Sequence, residues 1–360
     1  MSNPLFLNQI TDAQLDAVRA TGDPLFFRGT PGVGKSSRPR DYVKSRKLGL
    51  VVDAAPTLDS PDIAGLLMPS KSEGAARYIK PSWLARIEKQ IAAGFTEGIY
   101  LVEEIMSGNQ DVQKAYRPLM SEREVNEWVL PDGWVIWFTG NRSTDKSGAS
   151  KSMYHWANAC ATIDVVPHVQ SWEQWALDND IHPMYIAFAI NVVEEVFGDT
   201  PPKDPNIPQC TPRSLVRAAK YHTQFAGGPD GMRLPTDPVT MAFVSGYIGS
   251  ASVALTTYLN TYEHLPTIQE ILEDVHGAKL PPEDMLSAHH VVAQMCVGMA
   301  EPDTLDTLFT YCTRLRKEFQ TSVARQMVHK FRGKAMNAPS ISKFLVENAT
   351  LVSDSMNVNI

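Results

Sequence analysis

A short apolar run ending in a glycine-rich turn constrains this chain more than any other feature: Phe26-Phe27-Arg28-Gly29-Thr30-Pro31-Gly32-Val33-Gly34-Lys35-Ser36-Ser37. It has the form GxxxxGK(S/T), in which Gly29, Gly32 and Gly34 let the backbone bend until several N–H groups point at one anion. Lys35 is placed to reach the β- and γ-phosphates of a nucleotide, and Ser36 to set its hydroxyl on a magnesium ion. A helix starting there adds the positive end of its dipole. The cradle is therefore expected over Gly29, Thr30, Pro31, Gly32, Val33, Gly34, Lys35, Ser36 and Ser37, with ATP and Mg2+ as its ligands.

The flanking segments read as an open α/β sheet. Thr11 to Val18 has a cap hydroxyl with Gln14 three residues on, a helix start that leads into the strand before the loop. A basic helix follows the loop, and Leu48 to Asp53 reads as a second buried strand. Strand, helix and strand in this order form the parallel unit whose ligands lie at the carboxyl ends of the strands. Gly98-Ile99-Tyr100-Leu101-Val102-Glu103-Glu104 is a further buried strand that ends in two carboxylates. Beside a phosphate loop, Glu103 is expected to hold the magnesium shell and Glu104 to polarise the attacking water. The alternative is a helix start that favours Glu for its dipole. The usual order at such a strand is Asp-Glu, so Glu103 shifts its carboxylate by about an ångström where positioning carries most of the catalysis. A helix from Asp111 to Met120 and a hairpin-like Val129-Leu130-Pro131-Asp132-Gly133-Trp134 lead to a last strand, Trp134 to Asn141. Asn141 could hydrogen-bond the water or the γ-phosphate; a turn-forming Asn after Gly is the other reading.

Composition bounds the classes. The chain has 360 residues, 43% apolar and 20% charged, with a net charge of −7. That is long enough for two or three globular domains, and it argues against a surface that is one phosphate-backbone track. Two local basic stretches keep nucleic acid open as a partner that is not favoured: Arg38, Arg40, Lys44, Arg46 and Lys47, and the cations from Arg314 to Lys334 around an apolar repeat of Leu315, Phe319, Val323, Met327 and Phe331. A solvated or packed helix face is the alternative for each. Cys160, Cys210, Cys296 and Cys312 form no CxxC pair, and His289-His290 with Cys296 is too irregular for a metal site. These scattered cysteines fit a reducing cytoplasm, and no export is expected, since the N-terminus lacks the order of a signal peptide. Val239 to Tyr262 contains no charge but is interrupted by Ser, Thr, Gly and Asn, so a buried helix is expected and no membrane segment. Trp172, Trp175 and Ala176, then Ile186, Ala189, Ile190, Val193 and Val196, recur at helical spacing and read as core.

Taken together, the glycine loop, Asp62-Ile63-Ala64-Gly65 and Pro81-Ser82-Trp83-Leu84, the carboxylate strand, Val112-Gln113 with Leu119 to Arg123, Thr139-Gly140-Asn141 and Cys210-Thr211-Pro212-Arg213-Ser214 resemble the MoxR-type branch of the AAA+ ATPases. The resemblance spans about two-thirds of the chain. It implies a P-loop NTPase αβα sandwich over 1–168, a helical lid over 169–262 and a helical C-terminal region over 263–360. By the same resemblance Glu104 is the Walker B glutamate, Asn141 holds the sensor-1 position and Arg213 the sensor-2 position. Pro61 to Ile87 becomes a helix-2 insert and Val125 to Trp134 a hairpin facing the pore of a hexameric ring. Arginine at the start of a helix is disfavoured by the dipole, which makes a phosphate partner for Arg213 more plausible. The family further implies a chaperone-like remodeller of a partner protein, often one with a von Willebrand factor A-type domain. One departure stands out: where family members carry an arginine that reaches a neighbouring subunit's nucleotide, this chain has Ala159. Such a finger contributes about 10³ to 10⁵ in rate, so a slow ATPase or a nucleotide-gated module with negligible hydrolysis is expected unless Arg123, Arg142 or Lys151 substitutes.

Overall fold

Residues that alternate along a strand can serve two cores at once, and four short runs here do so. The computed structural model describes residues 5–70, 75–142, 156–198, 204, 206–225 and 234–348. The chain divides into two units, Met1–His168 and Val169–Ile360.

In the first unit the strands are β1 (Leu5–Phe6), β2 (Leu25–Gly29), β3 (Gly49–Ala54), β4 (Leu66–Ser70), β5 (Ala75–Ile79), β6 (Gly98–Glu103), β7 (Glu124–Val125), β8 (Trp128–Val129), β9 (Trp134–Gly140) and β10 (Ala161–Val166). The helices are α1 (Asp12–Thr21), α2 (Ser37–Arg46), α3 (Ser60–Ala64), α4 (Ser82–Ala92), α5 (Gln110–Ser121) and α6 (Trp156–Ala159). Six strands form a parallel sheet in the order β1-β10-β2-β9-β6-β3. Phe26, Tyr100, Val102, Ile136 and Phe138 face one core, shared with Ile63 of α3, Trp83 and Ile87 of α4, and Val112 and Tyr116 of α5. Their neighbours Leu25, Phe27, Ile99, Leu101, Val135 and Trp137 face the other, with Leu15 of α1 and Tyr42 and Val43 of α2. This period of two, buried on both faces, is what makes the unit an αβα sandwich. Trp134 fixes how the far strands begin. Gly49, Gly98 and Trp134 lie in register across β3, β6 and β9, and a Cβ at either glycine would meet the Trp134 ring at 2.6 Å.

The sequence-expected parts map closely but not everywhere. Thr11 caps α1, accepting from Gln14 N–H, with Gln14 reaching back to the Thr11 N–H. Pro39 sits in the first turn of α2, where its missing N–H has no intrahelical partner. Within the irregular Pro61 to Ile87 segment lies an antiparallel hairpin, β4 with β5, that exposes Leu66, Leu67, Met68 and Ile79. The second hairpin turns at Asn126-Glu127, with Asn126 at φ 53°, and pairs Glu124 with Val129. The Pro131–Gly133 turn that the sequence suggests as a hairpin instead feeds β9. Strand β10 is a correction: the stretch around Ala159, read only as a finger element, runs straight into a strand that pairs with the loop strand.

The second unit is helical: α7 (Val169–Asp178), α8 (Pro183–Asn191), α9 (Val193–Phe197), α10 (Pro212–Thr223), α11 (Pro238–Ile248), α12 (Ala251–Thr261), α13 (Ile268–Glu273), α14 (Leu286–Gly298), α15 (Leu305–Cys312), α16 (Lys317–Phe331), α17 (Gly333–Met336) and α18 (Pro339–Glu347). Helices from both sides of residue 262 share one core, from Ala176 and Phe188 through Leu255 and Val292 to Met327 and Ile341. The uncharged Val239 to Tyr262 stretch is two helices, broken at Gly249, where φ is 57° and a Cβ would meet Pro208 O at 2.1 Å. No helix among the described residues is long and apolar enough to cross a membrane. Trp175 and Val193, expected in the core, are 46% and 37% exposed. On α7 the inward stripe is Glu173, Ala176 and Leu177, and the break at Val192 restarts the helical phase so that Val193 turns outward. The four cysteines are free thiols.

Polar groups inside this unit make its stability pH-dependent. Glu173 accepts from the Gln294 and Gln326 amides at 2.6 and 2.7 Å. Burial pushes the His290 ring down to about 4, with the Asn191 and Gln294 amides facing its nitrogens at 3.4 and 3.3 Å. Folding thus favours the neutral ring, so this stabilisation is whole above the unfolded value of about 6.5 and is lost as pH falls toward 4. In urea unfolding followed by circular dichroism, a His290→Gln variant should lose up to about 3 kcal/mol less than the unmodified chain between pH 7 and pH 4.

Candidate nucleotide site at the carboxyl ends of the sheet

The carboxyl ends of β2, β9 and β6 lie side by side, and each delivers a polar side chain. Gly29 closes β2 opposite Val165 of β10. A Cβ there would meet the Val165 carbonyl oxygen at 2.2 Å, so only glycine lets the strand run on into the loop. Gly32 and Gly34 have φ of 81° and 95°, the left-handed backbone that other residues rarely adopt. Val33 is buried against the α1–α2 side of the sheet. These constraints hold the turn open for its lysine.

Lys35 is only 8% exposed. Among the described residues its ammonium donates to Gly29 O at 2.8 Å, Thr30 O at 2.6 Å and Asn141 Oδ1 at 2.8 Å. All three are neutral. A phosphate oxygen offers the same ammonium a charge-assisted bond of roughly twice the strength, so the lysine is held where an anion can draw it off. Asn141, two residues past Thr139 on the end of β9, is thereby joined directly to the loop.

Glu103 and Glu104 end β6, but differently. Glu103 keeps the strand alternation that puts Ile99 and Leu101 on the α2 side, and its Oε1 accepts from Arg40 of α2 at 2.8 Å through Nη2 and 3.3 Å through Nε. Glu104 has φ 55° and ψ 40°, a left-handed backbone costing about 1–2 kcal/mol for a residue with a Cβ. Its N–H is received by the buried Thr139 Oγ1 at 3.3 Å, and its side chain is exposed. Such strain gathers at functional sites because the surroundings impose it.

The remaining expected residues fall into place unequally. Ser36 stands at the N-terminal boundary of α2 without a side-chain capping bond, partly buried, one helical turn before Arg40. Arg213 is exposed at the second position of α10 in the helical unit, behind a Thr211–Ser214 capping box. Arg123, with φ 61°, donates to Trp134 O at 2.9 Å and Pro131 O at 3.4 Å, a backbone-bracing role. Arg142 follows Asn141 and is partly buried; Lys151 lies outside the described residues. Ala159 packs partly buried against the α4–α5 core with Cys160.

Three arrangements lie beyond sequence reasoning. Arg28 grips Asp164 on the paired strand β10 at 2.6 and 2.8 Å, bracing the loop strand from its other side. Asp53 at the end of β3 accepts from Arg86 at 2.6 Å on both oxygens and from Tyr100 at 2.8 Å; burial holds the Tyr100 hydroxyl well above its usual range, so it remains a donor. The third is the Arg40–Glu103 pair. Each joins residues dozens of positions apart, for which composition and spacing carry no signal. The three arginines of the basic stretch after the loop are held in such pairs: Arg38 with Asp12, Arg40 with Glu103 and Arg46 with Asp16. In the second stretch, Lys330 donates to the carbonyls of Val297 and Gly298 at the end of α14, and Arg314 to those of Val275 and Ala278.

No protein-family model and no curated protein matches the sequence. Among solved structures, the chain is similar to NtrX from Brucella abortus, at 13% identity over 92% of this chain and 69% of that one, with a TM-score of 0.43. It is also similar to the RuvB Holliday junction branch migration motor of Thermotoga maritima, at 13% identity over 86% of each chain, with a TM-score of 0.36. What this chain can do chemically is set by the side chains around Lys35.

Those side chains depend on the β2–β10 seam. Gly29→Ala should force the two strands apart at Val165, lowering the stability of the first unit by about 1–3 kcal/mol. A thermal melt followed by tryptophan fluorescence would register a drop of several degrees.

Proposed function

We propose that this chain is a magnesium-dependent ATPase of the AAA+ type. The observation that carries the reading is the bond from Lys35 to Asn141, which brings a glycine-loop lysine and the end of a second strand to one crevice beside the carboxylates of a third. Ligands of open α/β sheets bind in such crevices.

The donor set suits the cation. Ser36 and Glu103 offer oxygen ligands, and among the described residues no group of three or more His, Cys, Asp or Glu could cage a metal by themselves. Magnesium is held in this manner, by one or two protein oxygens with phosphates and water completing its shell. Held there with ATP, it would neutralise the charge that develops on the phosphates. The chain's own groups do the rest. Lys35 exchanges its loop carbonyls for phosphate oxygens, the loop N–H groups from Gly32 to Ser36 line the phosphates, and Asn141 meets the γ-phosphate or the water. Glu104 orients the attacking water and takes its proton as the bond to the leaving ADP oxygen breaks, giving ADP and phosphate. Arg213 is the sensor-2 candidate by the sequence resemblance alone.

The finer reading is the MoxR branch: a hexameric ring, closed with a cation in trans, that remodels a partner protein bearing a von Willebrand factor A-type domain. It is supported by the sequence resemblance and by the exposed β4–β5 hairpin within the insert. Arg142 and Lys151 are the trans-acting candidates, Arg123 being tied to backbone carbonyls. A second reading, a nucleotide-gated assembly module with negligible hydrolysis, is favoured by Ala159, whose place against the core leaves no cation at the finger position.

Glu104→Gln decides between them. Steady-state phosphate release should fall by about 10²–10⁴-fold while binding of a fluorescent ATP analogue is kept. Release by the variant at the unmodified rate would overturn the ATPase reading, and no release by either protein, with binding intact, would favour the module.

A further inference from the structure

The ion pair behind the loop assigns a role to a residue that no phosphate-loop pattern includes; the inference rests on the nucleotide reading above. Ser36 and Arg40 stand four residues apart, so they share one face of the helix behind the loop. Glu103 points to that same face. An Arg fork can hold both oxygens of a carboxylate side by side. Here Nη2 and Nε both fall on Oε1, and Oε2 receives no hydrogen bond from any described residue. The pair is half-open, with side-chain exposures of 42% for Arg40 and 22% for Glu103.

End-on binding has a consequence for a carboxylate that is one methylene longer than the usual aspartate. Left free, the longer side chain has an extra rotatable bond and no preferred aim. Held at one oxygen, it presents the other in one direction. We propose that Arg40 is a positioning residue: by clamping Glu103 Oε1 it turns Oε2 toward the magnesium shell beside Ser36, and so compensates for glutamate at this strand end. The opposite role, a built-in cation that competes with magnesium for Glu103, predicts the opposite shift in the half-saturating Mg2+ concentration.

The test uses the full chain and a fluorescent ATP analogue, titrated with Mg2+ at fixed nucleotide and again in EDTA. Removing a residue that orients a metal ligand typically weakens metal affinity by about 10–100-fold. Arg40→Ala should therefore raise the half-saturating Mg2+ concentration by at least about tenfold, with nucleotide affinity in EDTA and the thermal midpoint unchanged. Arg40→Lys should fall between, and Arg40→Ala combined with Glu103→Asp should recover most of the shift, because the shorter carboxylate needs no clamp. A purely structural pair would lower the thermal midpoint and would not be rescued by Glu103→Asp. If Arg40→Ala lowers the midpoint, Arg40→Met, which keeps the aliphatic stem, is compared in its place. An unchanged Mg2+ midpoint overturns the proposal, and a lowered one shows competition instead. If the unmodified protein shows no Mg2+-dependent nucleotide signal, the nucleotide reading falls and takes this role with it; if it does and only the Arg40 variants behave like it, the positioning role alone is wrong.

Discussion

A buried ammonium with three neutral acceptors is the interaction on which the first unit's chemistry depends. An unpaired lysine charge could not be kept at 8% exposure, because desolvation would be uncompensated. Gly29 O, Thr30 O and Asn141 Oδ1 supply that compensation. They also fix the loop's shape, since two acceptors belong to the loop itself. The third belongs to β9, so the lysine staples the loop to a strand that the chain reaches only 106 residues later. An arriving anion would find its cation already in place and its competitor bonds weaker than its own.

The sheet gives that staple its stiffness. β9 lies between the loop strand and the carboxylate strand, and its residues alternate between two cores, Phe138 into one and Trp137 into the other. A strand buried on both faces has little freedom to slide, because a one-residue slip would exchange every side chain between the cores. Asn141 and Thr139 inherit that fixity. The first holds Lys35, the second receives the Glu104 N–H. One strand therefore sets the distance between the cation and the exposed carboxylate.

Much of this arrangement is legible in the residues. The glycine spacing, the apolar runs ending in Glu103-Glu104 and Thr139-Gly140-Asn141, and the Thr11 cap all name local structure that tertiary packing leaves intact. Other features are hidden because the controlling partner is distant in sequence. Ala161–Val166, part of a stretch singled out only for Ala159, is a strand because β2 and β1 flank it. Trp175 has helical spacing with core residues, yet the inward stripe of α7 is Glu173, Ala176 and Leu177, in which Glu173 is accepted only because the Gln294 and Gln326 amides of α14 and α16 donate to it. The basic helix after the loop suggests a free cationic face, whereas Asp12, Asp16 and Glu103 neutralise its arginines. Arg213 is singled out by its motif, and its exposed place at the start of α10 leaves its role a proposal.

Two consecutive glutamates at a strand end pose a geometric problem, since adjacent side chains on a strand point to opposite faces. Glu103 follows the alternation toward α2, and Glu104 in the same strand would point into the apolar α4–α5 layer that Tyr100 and Val102 enter. A charged carboxylate there would lose its hydration without a partner. The left-handed backbone at Glu104 removes this outcome: the strand stops, the chain turns into a short 3-10 segment at Ile105–Ser107, and the side chain emerges exposed. Ile105 and Met106 take up the buried positions instead. The strain of that one residue, about 1–2 kcal/mol, is offset by their burial and by the Thr139 acceptor. Both carboxylates can then border one crevice, which an unbroken strand would forbid.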